Sequence, residues 1–453
     1  MSQTAPTWLH QLTSERFQRL GREFLWIASG QAVAILGMLV GVRMLTGVLK
    51  PQAYGELALG MTVALLVNQV VLGPLSNASM RFFAPARDVG ELKCFLVALR
   101  GLMLRATAVI LGITSIICLG LLLAKQTKWL WLGITSFGFA LFSGYNSILD
   151  GMQNAARQRA VVAWHQALAS WGRFLAAVGM ALWLGAYSVA AMVGYVLATI
   201  MVLLSQFFFF RHRLQPASDA SATGGGLVQR WQNQMFTYAW PISLFGVFTW
   251  VQIVSDRWAL QMFASTRDVG LYAVLFQLGY YPISLLSGLI MQLVAPIFYQ
   301  RAGDATDESR MRRVYVINWR LILTVLGLTI LASAFALFVH RQVFRWLTVP
   351  EYHRVSWLLP GLVLSGGFFA TGQLVSLSLM TRNDTRGLIA PKIVMAIIGV
   401  LLNFIGAAQW GILGVVLAGI IFSMTYMLWI MWLTMARYRR LIKSGTESIK
   451  KKT

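Results

Sequence analysis

Charged side chains are scarce in this sequence. They make up only 12% of its 453 residues, whereas hydrophobic residues make up 57%. Soluble globular domains carry about 25% charged residues, because charges keep the surface of the fold hydrated. The composition therefore excludes a soluble globular protein and favours a chain whose surroundings are largely lipid.

The sequence also has little of what a catalytic or metal site needs. Its two cysteines, Cys94 and Cys118, lie in or beside apolar runs and are too few for a disulfide framework. Its five histidines are scattered, and neither paired carboxylates nor a glycine-rich phosphate loop stands out. We predict that the protein is not an enzyme and binds no metal ion or cofactor. Any transport then draws on an ion gradient, the membrane potential or consumption of the product.

Acidic residues are few as well. The chain has 15 Asp and Glu residues against 38 Lys and Arg residues, which gives a net charge of +23. An excess of this size can indicate nucleic-acid binding. Here the cations lie in the polar segments between apolar runs, which is how the orientation of a membrane protein is encoded. We therefore expect membrane lipids as partners and no nucleic acid.

Long apolar runs dominate the rest of the sequence. A helix that spans a membrane needs about 20 mostly apolar residues. Runs of that length predict an all-α polytopic membrane protein with about twelve transmembrane helices. The predicted spans are residues 24–48, 56–83, 104–124, 129–150, 161–184, 188–210, 236–256, 270–298, 316–339, 355–381, 388–409 and 411–435.

The distribution of charges predicts the orientation. The N-terminal segment, residues 1–23, is charged and lacks the apolar core of a signal peptide, so we expect it to stay in the cytoplasm. Most Lys and Arg residues then fall on the cytoplasmic side, in agreement with the positive-inside rule. We predict a multi-pass protein of the bacterial inner membrane with both termini in the cytoplasm, including the basic tail at 436–453.

One polar segment divides the chain. Residues 215–226 read QPASDASATGGG, a composition typical of a flexible tether. We predict two six-helix bundles, at 24–210 and 236–435, joined by a cytoplasmic linker at 211–235.

The two halves also resemble each other. Three positions correspond in the same order: Gly55 with Gly270, Met152 with Met380, and Gly194 with Gly419. Such matches indicate an internal duplication. Parallel repeats of this kind occur in alternating-access transporters, with the substrate site between the halves. A duplicated structural membrane protein without transport activity is the alternative.

Two sequence runs resemble a known family. The first is VRMLTGVLKPQAYGELALGM from Val42, followed by RFFA from Arg81, and the second is SDRWALQMFASTRDVGLYAVLFQL from Ser255. They resemble polysaccharide exporters, which include the lipid-linked oligosaccharide flippases of the multidrug/oligosaccharidyl-lipid/polysaccharide exporter superfamily. One departure is Leu271, which separates Gly270 from Tyr272. The resemblance implies two six-helix bundles around a central cavity. It also implies movement of an undecaprenyl-diphosphate-linked glycan from the cytoplasmic to the periplasmic leaflet.

Such a substrate carries a diphosphate, which arginine binds well because its guanidinium donates two parallel hydrogen bonds. Charges inside spans are costly, so each is a candidate functional residue. The candidates for substrate binding are Arg43, Arg173, Asp256, Arg257 and Arg320. The alternative is that Arg43 and Arg257 extend to the head groups, with Asp256 paired to Arg257, and that Arg173 and Arg320 are cytoplasmic flanks of their spans. We also interpret Arg81 and Arg105 as such flanks.

Prolines within spans interrupt helix hydrogen bonding and are candidate hinges. They are Pro74, Pro241, Pro282 and Pro296.

The favoured function is a flippase, with a lipid-linked oligosaccharide as substrate and H⁺ or Na⁺ as a coupling cation. A multidrug or small-cation antiporter of the same superfamily is the alternative, although it would favour an acidic cavity. A membrane glycan polymerase or ligase fits less well, because the predicted outer connections are short.

Overall fold

The computed structural model describes residues 32–214, 224–302, 308–381 and 386–450. The predicted N-terminal segment 1–23 and residues 215–223 of the predicted linker lie outside these ranges. The described chain is helical almost throughout, without a strand. Its helices, in chain order, are α1 Ala32–Val48, α2 Pro51–Asp88, α3 Leu92–Leu123, α4 Thr127–Ala155, α5 Arg159–Leu184, α6 Ser188–Leu214, α7 Gly225–Phe263, α8 Thr266–Ala302, α9 Glu308–Leu347, α10 Leu359–Met380 and a kinked final helix, Arg386–Lys450. A 3₁₀ segment, Pro350–Leu358, precedes α10.

The final helix reverses at Gly411, whose backbone is not helical (φ 55°, ψ −129°). A positive φ of this kind is readily adopted only by glycine. The two arms pack against each other, since a Cβ added to Gly414 would lie 1.9 Å from the carbonyl oxygen of Gly406. We call the arms α11 (386–410) and α12 (412–450). The predicted boundary between the last two spans falls at this turn.

The helices form a multi-pass membrane protein. In the described part of the chain, nine helices are long and apolar enough to cross a membrane. Their outer surface is apolar, as Phe338, Trp183 and Leu123 illustrate with exposed fractions of 79%, 76% and 75%. Water disfavours so many exposed large apolar side chains, whereas lipid accommodates them. The number of twelve spans stays a prediction.

A π-helical turn, Asn68–Leu72, interrupts α2. The amide of Gly73 donates to the carbonyl of Asn68, five residues earlier. Pro74 follows at once, and its ring lacks an N–H and displaces the carbonyl four residues before it. The π turn accommodates this missing bond by inserting an extra residue into the helix.

Packing is dense within each half of the chain. In residues 32–214, α2 packs on α4, and α6 packs on α4 and α5. In residues 225–450, α10 packs on α8, α9 and the α11–α12 pair, which also packs on α7. Contacts between the halves run from α2 to α8, and from α2 and α3 to α7. The division into two equivalent bundles stays a prediction, but these contacts define where the halves meet.

Candidate functional site

The start of α2 crosses the start of α8 at two glycines. A Cβ on Gly55 would lie 1.9 Å from the carbonyl oxygen of Thr266, and a Cβ on Gly270 would lie 1.8 Å from that of Pro51. Each glycine thus faces the residue four positions before the other. The contact is reciprocal, as a local two-fold arrangement requires. It joins the two glycines that the sequence repeat matched, and only glycine permits such a close approach of backbones.

Two tyrosines extend this contact. The Tyr54 hydroxyl donates to Oε1 of Gln277 at 2.7 Å, and the Tyr352 hydroxyl donates to the Leu49 carbonyl at 2.9 Å. Both tyrosines are buried and their rings meet edge to face, 6.1 Å apart. We call this region the outer junction, because the predicted orientation places it on the periplasmic side. Its residues are Leu49, Tyr54, Gly55, Gly270, Gln277 and Tyr352. The two halves are closed against each other there.

A charged cluster lies beside the outer junction, on α7 and α8. Arg257 Nη1 lies 3.2 Å from Asp256 Oδ1, and the Tyr272 hydroxyl donates to Asp256 Oδ2 at 2.8 Å. The guanidinium carbon of Arg257 is 4.7 Å from the centre of the Phe276 ring. Gln277, the partner of Tyr54, is the next residue. Because only 14% of the Arg257 side chain is exposed, its charge is largely removed from solvent and is balanced by Asp256.

Of the other predicted substrate-binding residues, Arg43 lies near the outer junction, whereas Arg173 and Arg320 lie elsewhere. Arg43 is exposed and donates to the carbonyl of Thr348, just before the 3₁₀ segment. Because α5 begins at Arg159, Arg173 lies about 21 Å along that helix. Its Nε donates a hydrogen bond to the Ala169 carbonyl at 2.9 Å. Arg320 is exposed on α9. Among the described contacts, none joins these three arginines to one another or to Arg257, and their role in binding stays a prediction.

The candidate hinges lie within helices. Pro74 is buried next to the π turn of α2, Pro241 is inside α7, and Pro282 is in α8. The Pro296 side chain lies outside the described residues. A hinge role stays a prediction for all four.

Tryptophans of α7 attach this helix to α2. Trp250 Nε1 donates to the Thr62 carbonyl at 2.7 Å, and Trp258 Nε1 donates to the Thr62 hydroxyl at 3.1 Å. Farther along, a Cβ on Gly246 would lie 2.2 Å from the Gln69 carbonyl, in the π turn. Sequence reasoning did not identify this contact, because nothing in either local sequence specifies the partner.

An open cleft lies at the other end of α2, where the predicted orientation places the cytoplasm. We call it the inner cleft, and it is lined by Arg81, Phe82, Pro85, Val89, Arg230, Trp231 and Gln234. Near it, Arg105 Nη2 donates to Gln232 Oε1 at 3.3 Å, which connects α3 to α7. Arg81 and Arg105, interpreted from the sequence as flanks of their spans, lie where the two halves meet.

Two carboxylates that sequence reasoning missed are the buried Glu56 and the partly buried Asp150. Glu56 pairs with Lys128 and accepts a 2.7 Å hydrogen bond from Ser188. Asp150 differs, because it accepts hydrogen bonds from the amides of Gln206 at 2.5 Å and Gln166 at 3.3 Å, and His165 lies close enough to interact with it electrostatically. The described residues hold no cluster of three or more His, Cys, Asp or Glu side chains suited to a metal ion.

Comparisons with known proteins agree with this architecture. The sequence matches the family described as polysaccharide biosynthesis protein over residues 20–302. The chain belongs to this family. The resemblance noted in the sequence is thereby confirmed. A comparison with curated protein sequences finds no significant match.

Solved structures share the fold at low sequence identity. The lipid II flippase MurJ in an inward closed conformation is 12% identical, with a TM-score of 0.68 over 90% of this chain and 86% of MurJ. An inward-facing multidrug resistance MATE transporter of the MOP superfamily is 13% identical, with a TM-score of 0.65 over 92% and 95% of the two chains. A MOP superfamily transporter from Pyrococcus furiosus is 15% identical, with a TM-score of 0.54 over 92% and 95%. The chain therefore has the fold of this superfamily of transporters.

Proposed function

We propose that this member of the family is a flippase for a lipid-linked oligosaccharide. In this proposal it moves an undecaprenyl-diphosphate-linked glycan to the periplasmic leaflet for polysaccharide or lipopolysaccharide synthesis. The supporting observation is the largely buried Arg257, which stacks on Phe276 beside the outer junction in a family associated with polysaccharide synthesis. A guanidinium in such a place is suited to a diphosphate, because it keeps its charge when desolvated.

The proposed mechanism is alternating access in the inner membrane, with both termini in the cytoplasm. The two six-helix bundles would enclose the substrate between α1, α2, α7 and α8. Release to the periplasmic side requires the outer junction to separate. The bonds from Tyr54 to Gln277 and from Tyr352 to Leu49 then break, and the Gly55–Gly270 crossing opens.

We further propose that a cation gradient, H⁺ or Na⁺, drives the cycle, and that Asp150 is the coupling residue. Asp150 is partly buried at the cytoplasmic end of the predicted span 129–150, and an ionisable side chain in a membrane helix is a candidate functional residue. Glu56 and Asp256 form ion pairs with Lys128 and Arg257, whereas Asp150 accepts hydrogen bonds from neutral amides and has the ionisable His165 nearby. A single proton or Na⁺ at Asp150 would therefore balance its charge.

A multidrug or small-cation antiporter is the second candidate. The fold shared with MATE transporters and the acidic Asp256 at the junction are compatible with it. A glycan polymerase or ligase is less well supported, since the outer connections in the described chain are short, such as 49–50, 124–126 and 264–265.

The deciding experiment measures flipping directly. Purified protein is placed in proteoliposomes with a fluorescent undecaprenyl-diphosphate oligosaccharide, and an impermeant reagent that modifies the sugar reports its leaflet. We expect faster exposure of the glycan than in liposomes that contain the Gly55→Ala variant. If exposure is no faster than in empty liposomes, while the protein exchanges a lipophilic cation for protons, then the antiporter assignment replaces the flippase.

A further inference from the structure

The inner cleft has the chemistry of an anion site. Its volume is about 540 Å³, and its lining includes two arginines, one glutamine and no acidic side chain. Arg81 and Arg230 are both exposed. Within the described chain, neither guanidinium takes part in an ion pair or hydrogen bond. Their donors are therefore available to a ligand.

Aromatic rings hold both arginines in place. The guanidinium carbon of Arg81 lies 5.0 Å from the centre of the Tyr238 ring, and that of Arg230 lies 5.7 Å from the Trp231 ring. Stacking on an aromatic face leaves the edge donors of a guanidinium free. Trp231 is only 3% exposed, and its Nε1 donates to Glu91 at 2.8 Å. The Trp231 ring is thus fixed by burial and hydrogen bonding, and the partly buried Tyr238 ring packs against Phe82.

The cleft also has an apolar side. Pro85 is exposed and Val89 is 63% exposed, at the end of α2. Phe82 packs edge to face on Trp231 and Tyr238, with ring centres 6.2 Å and 5.8 Å apart. A ligand that fits both sides of the cleft carries an anionic group and an apolar part. A soluble anion would leave Pro85 and Val89 without a contact.

We propose that the inner cleft binds the phosphate head group of an anionic glycerophospholipid from the cytoplasmic leaflet. The two guanidiniums bind the phosphate, and the acyl chains lie along the Pro85 and Val89 side. Basic pockets between helices on the cytoplasmic side of a membrane bind such lipids. Because Arg81 is on α2 and Arg230 is on α7, a bound lipid joins the two halves at this end. This inference does not depend on the transported substrate.

The test measures lipid binding to purified full-length protein in nanodiscs or detergent. Phosphatidylglycerol and cardiolipin are added to protein in phosphatidylcholine, and retained lipid is counted by native mass spectrometry. The Arg81→Gln/Arg230→Gln variant should bind anionic lipid about ten-fold or more weakly, because charge-assisted hydrogen bonds are lost. The control is Arg87→Gln, an exposed arginine of α2 outside the cleft, which should retain wild-type binding.

Two further measurements define the ligand. The Arg81→Lys/Arg230→Lys variant should bind with intermediate affinity, because lysine keeps the charge but lacks the planar fork. This variant decides the matter if the glutamine variant does not fold. Pyrophosphate serves as a soluble probe. Wild-type affinity in both cleft variants, an equal loss in Arg87→Gln, or displacement of the lipid by equimolar pyrophosphate would overturn the proposal. Transport is measured separately, so a substrate other than a glycan would leave this result unchanged.

Discussion

The glycine crossing at the outer junction gives the sharpest prediction. In Gly55→Ala, the new methyl group would lie 1.9 Å from the Thr266 carbonyl oxygen. A carbon–oxygen contact needs about 3.3 Å, so the helices must separate by about 1.4 Å. The obstacle is backbone, so rotation of a side chain cannot relieve it. Overpacking costs about 1 to 3 kcal/mol, which shifts the balance from closed to open junction by about 5-fold to 150-fold.

The assay follows the width of the junction directly. Spin labels at Gln52→Cys and Arg267→Cys, both exposed and each three residues before a crossing glycine, report the distance between α2 and α8. The background replaces Cys94 and Cys118 with alanine. We expect a longer distance in Gly55→Ala and slower transport, because the cycle must pass through the closed junction.

The control is Gly47→Ala in α1, where no atom lies within 4 Å of the added Cβ. It should match the wild type in both measurements. Gly270→Ala should reproduce the effect of Gly55→Ala, and the double variant should add little, because either substitution already separates the helices. If Gly55→Ala keeps the wild-type distance and rate, the two helices are not in contact in the transporting protein.

Further predictions concern charge and orientation. For Arg257 and Arg43, transport should fall in the order wild type, lysine, alanine, with a loss of about ten-fold for alanine, since a charge-assisted hydrogen bond is worth about 1.5 to 3 kcal/mol. Removing Arg257 also leaves Asp256 unpaired, so abundance is measured beside transport, and wild-type surface glycan in both alanine variants would refute a cavity role. Asp150→Asn should preserve abundance and abolish the dependence of transport on an imposed H⁺ or Na⁺ gradient, and an unchanged dependence would refute coupling at this residue. A reporter enzyme that works only in the cytoplasm should be active when fused at Ala220. Activity of a reporter that works only in the periplasm would reverse the predicted orientation.

The helices were predictable from the sequence because their signal is local. Apolar runs and polar breaks mark where a chain crosses lipid, and the predicted break between the last two spans, 388–409 and 411–435, falls at the Gly411 turn. The resemblance to polysaccharide exporters was also local, because it rested on short runs around Gly55 and Gly270. These features need no knowledge of which helix packs against which.

The partners of the side chains could not be predicted in this way. The repeat indicated that Gly55 and Gly270 are equivalent, but not that they contact each other. Arg81 precedes one polar segment and Arg230 follows another. The positive-inside rule therefore explains both arginines as well as a binding site does. Asp150 ends a predicted span, where a charged residue is ordinary, and its contacts with Gln166 and Gln206 depend on helix packing.

The structure gives α2 a particular place between the halves. Near its start it crosses α8 at Gly55, and near its end it meets α7 at the inner cleft. Between these contacts lie the π turn, Asn68–Leu72, and Pro74. Each residue of a helix turns the chain by about 100°, so gaining or losing the extra residue of a π turn rotates one end of the helix relative to the other. We therefore predict that α2 bends at this turn, beside Pro74, when the outer junction opens.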